Sequence, residues 1–234
     1  MTVNKALKFG IAIIVVLLVF CQLILPFVVQ GSIAHSIKDA TKADNVNVKV
    51  SSMAGFMLLA GHMDSIHIDA DNAMVGQVRV DKLTLDGENV NGDLTKLDAR
   101  DGSAVRSADK LEMTGIISQE SLQMLLQDKL EKVDNITATM NKEKLSATGT
   151  VKLLGRTADL TLEGTVFEEN GGVYFHMTHL DIKNAVFGKA VVGNFFGDIL
   201  LFDLHKMPVR AEVDDVEMQD GRVIIKASRR TTGQ

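Results

Sequence analysis

The feature that most restricts this chain is an almost unbroken apolar run from Phe9 to Val29, preceded by Lys5 and Lys8 and free of acidic residues. At about 1.5 Å per residue, such a run spans roughly 30 Å as a helix, the thickness of a bilayer core. The two lysines favour an N-terminus held in the cytoplasm. Everything after residue 30 is then expected outside it, which sets aside most cytoplasmic roles, nucleotide chemistry included.

The run is expected to remain as an anchor. Cleaved signals have a shorter apolar core, about 7–15 residues, that ends in a small-x-small site. The best cleavage candidate here, Ser32-Ile33-Ala34, lies well past the core. Cys21 follows Phe20, where a lipidation signal needs a small residue. Pro26 predicts a kink rather than an end, because apolar residues resume at Phe27. Gln30 to Ala43 is read as a continuing helix over the membrane surface. The expected organisation is a signal-anchor over 1–30 and an exported domain over 31–234. Residues 9–29 would cross the cytoplasmic membrane once, and the domain is periplasmic if the host has an outer membrane.

Cys21 is the only cysteine, so the exported part rests on packing without disulfides. That part holds 23 basic and 30 acidic residues, a net charge of −7. Such a balance argues against nucleic acid and against strong attraction to anionic headgroups. Trp is absent and Tyr174 is the only tyrosine, which disfavours an aromatic sugar-stacking site. With two prolines and no Ser/Pro-rich tract, a long disordered linker is not expected.

Beyond the anchor, alternation dominates. Ile66, Ile68 and Ala70 face one way, and His67, Asp69 and Asp71 the other. Val78 and Val80 share a face, but Leu83 and Leu85 have the opposite parity, which predicts a bulge near Asp81-Lys82. Leu145 to Leu153, Ala158 to Val166, Val173 to Met177, Val209 to Val213 and Val223 to Ala227 alternate in the same way. These read as antiparallel strands with one greasy and one wet face.

Three helical segments interrupt the strands. Met53 to Ala60 is short and apolar. Ser118 is the expected N-cap of a helix running through Lys132, with Glu120 favourable in its first turn and Leu122, Leu125 and Leu126 on its apolar side. The third, about Phe187 to Leu201, is apolar nearly all round. A one-sided sheet needs a cover. Whatever these helices leave uncovered is an apolar groove.

Several blocks then carry a resemblance. They are the helix after the anchor, Val46-Asn47-Val48 and the short helix ending at Gly61, Met63 to Ile68, and Val78 to Leu85. They continue with Val105-Arg106-Ser107-Ala108, Val151 to Arg156 and Val216 to Val223. In order and spacing the chain resembles the LmeA-type family of bacterial exported phospholipid-binding proteins, over about Ile33 to Arg229. The resemblance implies a tubular-lipid-binding type of fold, a curled antiparallel sheet around a long helix with a greasy interior. It also implies phospholipid binding in envelope maintenance or lipid trafficking, and it carries no catalytic motif.

The expected class is therefore α+β: a curled, twisted antiparallel sheet packed around amphipathic or apolar helices, after a transmembrane helix. The expected lipid lining is Leu122, Leu125, Leu126, Phe187, Val191, Phe195, Phe196 and Ile199, set against the simpler reading that these fill a dry core. Phe56, Met57, Leu58 and Leu59 are the expected membrane-contacting tip.

His176-x-x-His179 is not read as a metal site, because residues three apart on a strand point to opposite faces. Asp214, Asp215, Glu217 and Asp220 lack calcium-loop spacing and read as a solvated acidic face. Gly193-x-x-x-Gly197 reads as close packing rather than a second span, given Asn194 and Asp198. No catalytic signature, metal or cofactor is expected. Phospholipid is the expected partner, and the sequence names no protein partner. The rivals are a closed-core envelope protein that binds a partner and an enzyme of envelope lipids or glycolipids.

Overall fold

The N-terminus is carried by two helices, α1 (Val3–Leu23) and α2 (Leu25–Thr41). The computed structural model describes residues 3–96, 103–130, 132–153, 156–183, 198–204, 209 and 211–229. Among these, one helical stretch, Leu7–Thr41, is long and apolar enough to cross a membrane. The mean hydropathy of its most apolar 18 residues is 3.0, and 0 % of that window is buried. Ile24 separates the two helices, yet helical bonding runs through it: its N–H donates to Phe20 O at 2.9 Å and its carbonyl accepts from Val28 N at 3.2 Å. Pro26 lies in the first turn of α2, where a missing N–H costs little. The break between α1 and α2 thus falls two residues before Pro26. α2 then runs across position 30 and buries Val29 and Ile33 in the folded domain, packing mainly on the first strand.

That strand, β1 (Asn45–Ser51), is followed by β2 (His62–Val75), β3 (Val78–Gly92), β4 (Val105–Ser107) and β5 (Lys110–Ser118). Helix α3 (Gln119–Lys129) comes next, then β6 (Val133–Met140), β7 (Leu145–Leu153), β8 (Arg156–Glu169), β9 (Gly172–Lys183) and β10 (Ile199–Asp203). The chain closes with the hairpin β11 (Glu212–Gln219) and β12 (Arg222–Ser228). A seven-stranded sheet has the order β1-β2-β3-β5-β12-β11, with β4 on β3; a five-stranded meander has the order β10-β9-β8-β7-β6. Every pairing is antiparallel, and one sheet is strongly curled into a half-barrel. The class is α+β, as the alternation implied.

The parity switch between Val80 and Leu83 is real, but it is not a bulge. β2 and β3 keep one register throughout, from His62↔Asn91 to Val75↔Val78. Both strands switch faces together. In β2 the buried set passes from Ala70 to Ala73 around Asn72, at φ +54°. The same happens nearer the other end of the hairpin, where Asn89 sits at φ +47°. Asparagine tolerates this left-handed conformation because its short amide can bond locally. Asn72 Nδ2 donates to Asp44 Oδ2 at 2.8 Å, and Asn89 Nδ2 to Asp109 Oδ2 at 2.7 Å. The pairing drops out only at these two positions and resumes in the same register on either side.

The two sheets share one core, which includes Leu122, Leu126, Leu145, Leu162, Phe175 and Ile225. Across their junction the Val166 N–H points to Met218 Sδ at 3.4 Å, and Gly221 N donates to Met140 O at 3.2 Å. A second cluster joins Val29 and Ile33 of α2 to Val48, Val50, Ile66 and Leu58.

Candidate functional site

The inner face of the larger sheet is built by register. Val46, Ala70, Leu83, Gly115, Ile225 and Val216 oppose one another in turn across β1, β2, β3, β5, β12 and β11. The next row is Val48, Ile68, Leu85, Met113, Ala227 and Val213. Two adjacent rows thus cross six strands without a polar side chain, and one position, Gly115, has no side chain.

That gap leaves a small recess of about 10 Å³, room for roughly one water, lined by Val75, Val80, Leu83, Met113, Gly115, Ile117, Ile225 and Ala227. A Cβ placed on Gly115 would meet only Val80 Cγ1, at 3.7 Å. The lining is aliphatic apart from Met113, whose flexible thioether adapts to irregular apolar shapes. Such a wall accepts hydrocarbon without stranding a polar group, which would cost about 1–3 kcal/mol.

Leu122, Leu125 and Leu126 project from α3 into the same core and are buried, but the recess is lined by strand residues. The cap of this helix is as expected: Ser118 Oγ accepts from Ser121 N at 3.2 Å, and Asp81 accepts from both Ser118 N and Ser118 Oγ. The helix ends at Lys129 rather than Lys132. Phe187, Val191, Phe195 and Phe196 lie outside the described residues. Ile199 corrects the expected third helix: it begins strand β10 and pairs with Phe175 of β9, because the sheet edge offers its backbone a ladder. The lining residues on β5 carried a readable signal. Leu111, Met113 and Ile117 alternate on one face, with a glycine where the next side chain should stand.

The short helix forms as a 3₁₀ segment, Gly55–Ala60, closed by Gly61 in the left-handed conformation. Phe56 is 52 % exposed and Leu59 70 %, with Met57 exposed beside them and Met53 89 % exposed just before. Leu58 is a correction to the expected tip: at 0 % exposure it turns inward and joins the cluster under α2. One side of so tight a turn must face the domain.

The polar chemistry lies on the opposite, wet face of the sheet. His67 sits between two carboxylates, with Nδ1 2.6 Å from Asp86 Oδ1 and Nε2 2.8 Å from Asp69 Oδ2. The hydrogen bond to Asp86, then that to Asp69, raises the histidine pKa above its ordinary value. The bond to His67 in turn holds the Asp69 carboxyl below the usual range. His176 and His179 are both exposed. A register shift between Glu163 and Gly164 of β8 passes over Thr178 and returns both rings to one face, which corrects the parity argument made from sequence. His176 Nδ1 is 2.6 Å from Asp198 Oδ1. Among the described residues, no group of three or more His, Cys, Asp and Glu is placed to hold a metal ion.

The fold defines a class: an α+β domain with an apolar interior, joined to a helix whose most apolar 18 residues are unburied. The LmeA-like phospholipid-binding family matches residues 23–228, nearly the whole domain together with α2. The chain belongs to this family. No curated protein matches the chain, and no solved structure does.

Proposed function

We propose that this protein is a membrane-anchored, extracytoplasmic phospholipid-binding protein that shelters an acyl chain on the inner face of its larger sheet and serves envelope lipid trafficking or maintenance. The observation that carries the reading is the pair of apolar rows that cross six strands, with a glycine at position 115 where a side chain would stand. At about 10 Å³ the gap is far smaller than the roughly 300–1,000 Å³ typical of small-molecule pockets, so in this reading an acyl chain enters only as the apolar faces part. Family membership supports phospholipid as the class of ligand. The mechanism is physical: a chain leaves the bilayer because it finds an equally apolar wall, so little free energy separates the two sites.

In this reading α1 is the anchor, with Lys5 and Lys8 on the cytoplasmic side, and the domain works beside its donor membrane. The expected lining on Phe187, Val191, Phe195 and Phe196 remains part of the proposal as a further apolar wall.

Native mass spectrometry of the full chain, released from detergent without added lipid, tests the function. Phospholipid bound at a fixed ratio is expected. Gly115→Leu overfills the gap and should lose that lipid, with the unfolding temperature read alongside to separate lost lipid from strained packing. A lipid-free mass, with no uptake from liposomes, would leave the closed-core, partner-binding reading. Unchanged lipid in Gly115→Leu would move the site elsewhere.

A further inference from the structure

The 3₁₀ segment Gly55–Ala60 is fastened to the last turn of α1. Gln22 Oε1 accepts the Gly55 N–H at 2.8 Å, and Gln22 Nε2 donates to Ser52 O at 3.5 Å. Gly55 lies so close that a Cβ there would meet the Cys21 carbonyl carbon and Gln22 Cα, both at 2.9 Å. The carbonyl of Gln22 also loses its helical donor, because residue 26 is proline. The contact is therefore a built joint between the end of the apolar helix and the loop from β1 to β2.

From this joint, Met53, Phe56, Met57 and Leu59 point outward. Ser51 to Gly61 contains no charged residue. On the helices the exposed apolar surface continues through Phe20, Leu23, Ile24 and Phe27. Large apolar side chains in such number on one exposed surface mark an interaction site. The surface here is continuous with a helix that must itself be covered by hydrocarbon.

We propose that the Gly55–Ala60 tip is a second membrane attachment, inserted into the acyl layer of the leaflet from which α1 emerges. A single span leaves a domain free to swivel and tilt. Span and tip together hold it at a set angle, with the adjoining ends of β1, β2, β3 and β5 against the bilayer. The β6–β7 turn faces away: Gly221 N bonds to Met140 O, and the adjacent Arg222 pairs with Ser118, the end of β5 remote from Lys110. The inference rests on reading α1 as a span and is independent of the recess.

The chain has no tryptophan, so one introduced indole reports alone. Phe56→Trp, in the full chain, is placed in nanodiscs of phosphatidylcholine and phosphatidylglycerol, with or without brominated acyl chains. Lys142→Trp, on the β6–β7 turn, is the comparison. The expected result is a blue-shifted Phe56→Trp emission that is strongly quenched by brominated lipid, and a water-like, unquenched Lys142→Trp emission. Unquenched emission from a folded, disc-inserted Phe56→Trp overturns the tip. If that emission is blue-shifted only when two chains share a disc, a second copy covers the segment instead. Failure of the chain to enter discs overturns span and tip together. Lipid retention by the protein is read separately and bears on the recess alone.

Discussion

Gln123 Oε1 on α3 accepts the backbone N–H of Ala138 on β6 at 2.9 Å. The same contact repeats one helical turn to either side. Gln119 Oε1 accepts from Met140 N at 2.8 Å, and Gln127 Oε1 from Ile136 N at 3.2 Å. Four residues of helix rise about 6 Å, and two residues of strand advance about 6.6 Å. Glutamines spaced by four on a helix therefore match alternate donors on an antiparallel strand. β6 is an edge strand, and an open edge is an aggregation hazard. The three amides close it with side chains.

Gln123→Ala should thus strip the acceptor from a buried backbone donor. The expected loss is about 1–3 kcal/mol of stability, read by equilibrium urea unfolding. Gln123→Glu, which keeps an acceptor at the same reach, should lose less. Equal losses in the two variants would show that side-chain packing, not the amide contact, sets the cost.

Asn72 turns the β2–β3 hairpin with a left-handed φ of +54°. Asn72→Val forces a β-branched residue into that conformation and should cost about 1–2 kcal/mol or more. Asn72→Gly should be milder, since glycine adopts the angle freely and only the exposed bond to Asp44 is lost. Matching unfolding midpoints for the two variants would argue that the backbone angle relaxes without cost.

Gly55→Val should push the 3₁₀ segment off α1, because the nearest atoms are backbone and cannot rotate away. Cys21, half-buried at this joint and the only cysteine, should then react faster with a maleimide than in the wild type. An unchanged labelling rate would mean that the joint does not shield Cys21.

The His67 cluster gives stability a pH dependence of defined sign. Asp86 and Asp69 flank His67, Lys49 opposes it in register, Lys82 Nζ lies 3.7 Å from Asp69, and Glu112 opposes Asp86. The folded-state pKa of His67 is raised. Its contribution is therefore full below the unfolded value, about 6.5, and fades as pH rises through the folded value. Asp69 is lowered, so its contribution is present above about 3.9 and fades as pH falls through its own folded value. The stability gap between wild type and His67→Asn should accordingly narrow as pH rises above about 6.5. A gap constant over that range would show that the pair of carboxylates does not favour the imidazolium.

Much of this architecture is local and was legible along the chain. The apolar run at Phe9–Val29, the cap at Ser118 and the alternating strands each depend on neighbours within a few residues, where periodicity and backbone chemistry act. The candidate site was harder to read. The recess is made by residues from β2, β3, β5 and β12, remote in sequence and brought into line by register; its defining residue, Gly115, contributes by having no side chain. Leu58 and Leu59 are identical in composition and adjacent, yet only their placement over α2 and α1 sends one inward and the other out. Ile199 belongs to an apolar stretch that reads as helix, and a sheet edge takes it as strand. His176 and His179 share a face because their own strand carries Thr178 as an extra residue between them, a bulge set by pairing with β8. Short-range pattern sets which side of an element is greasy. Long-range pairing sets what that side meets, and the free energy of closing those distant contacts is written in no single segment.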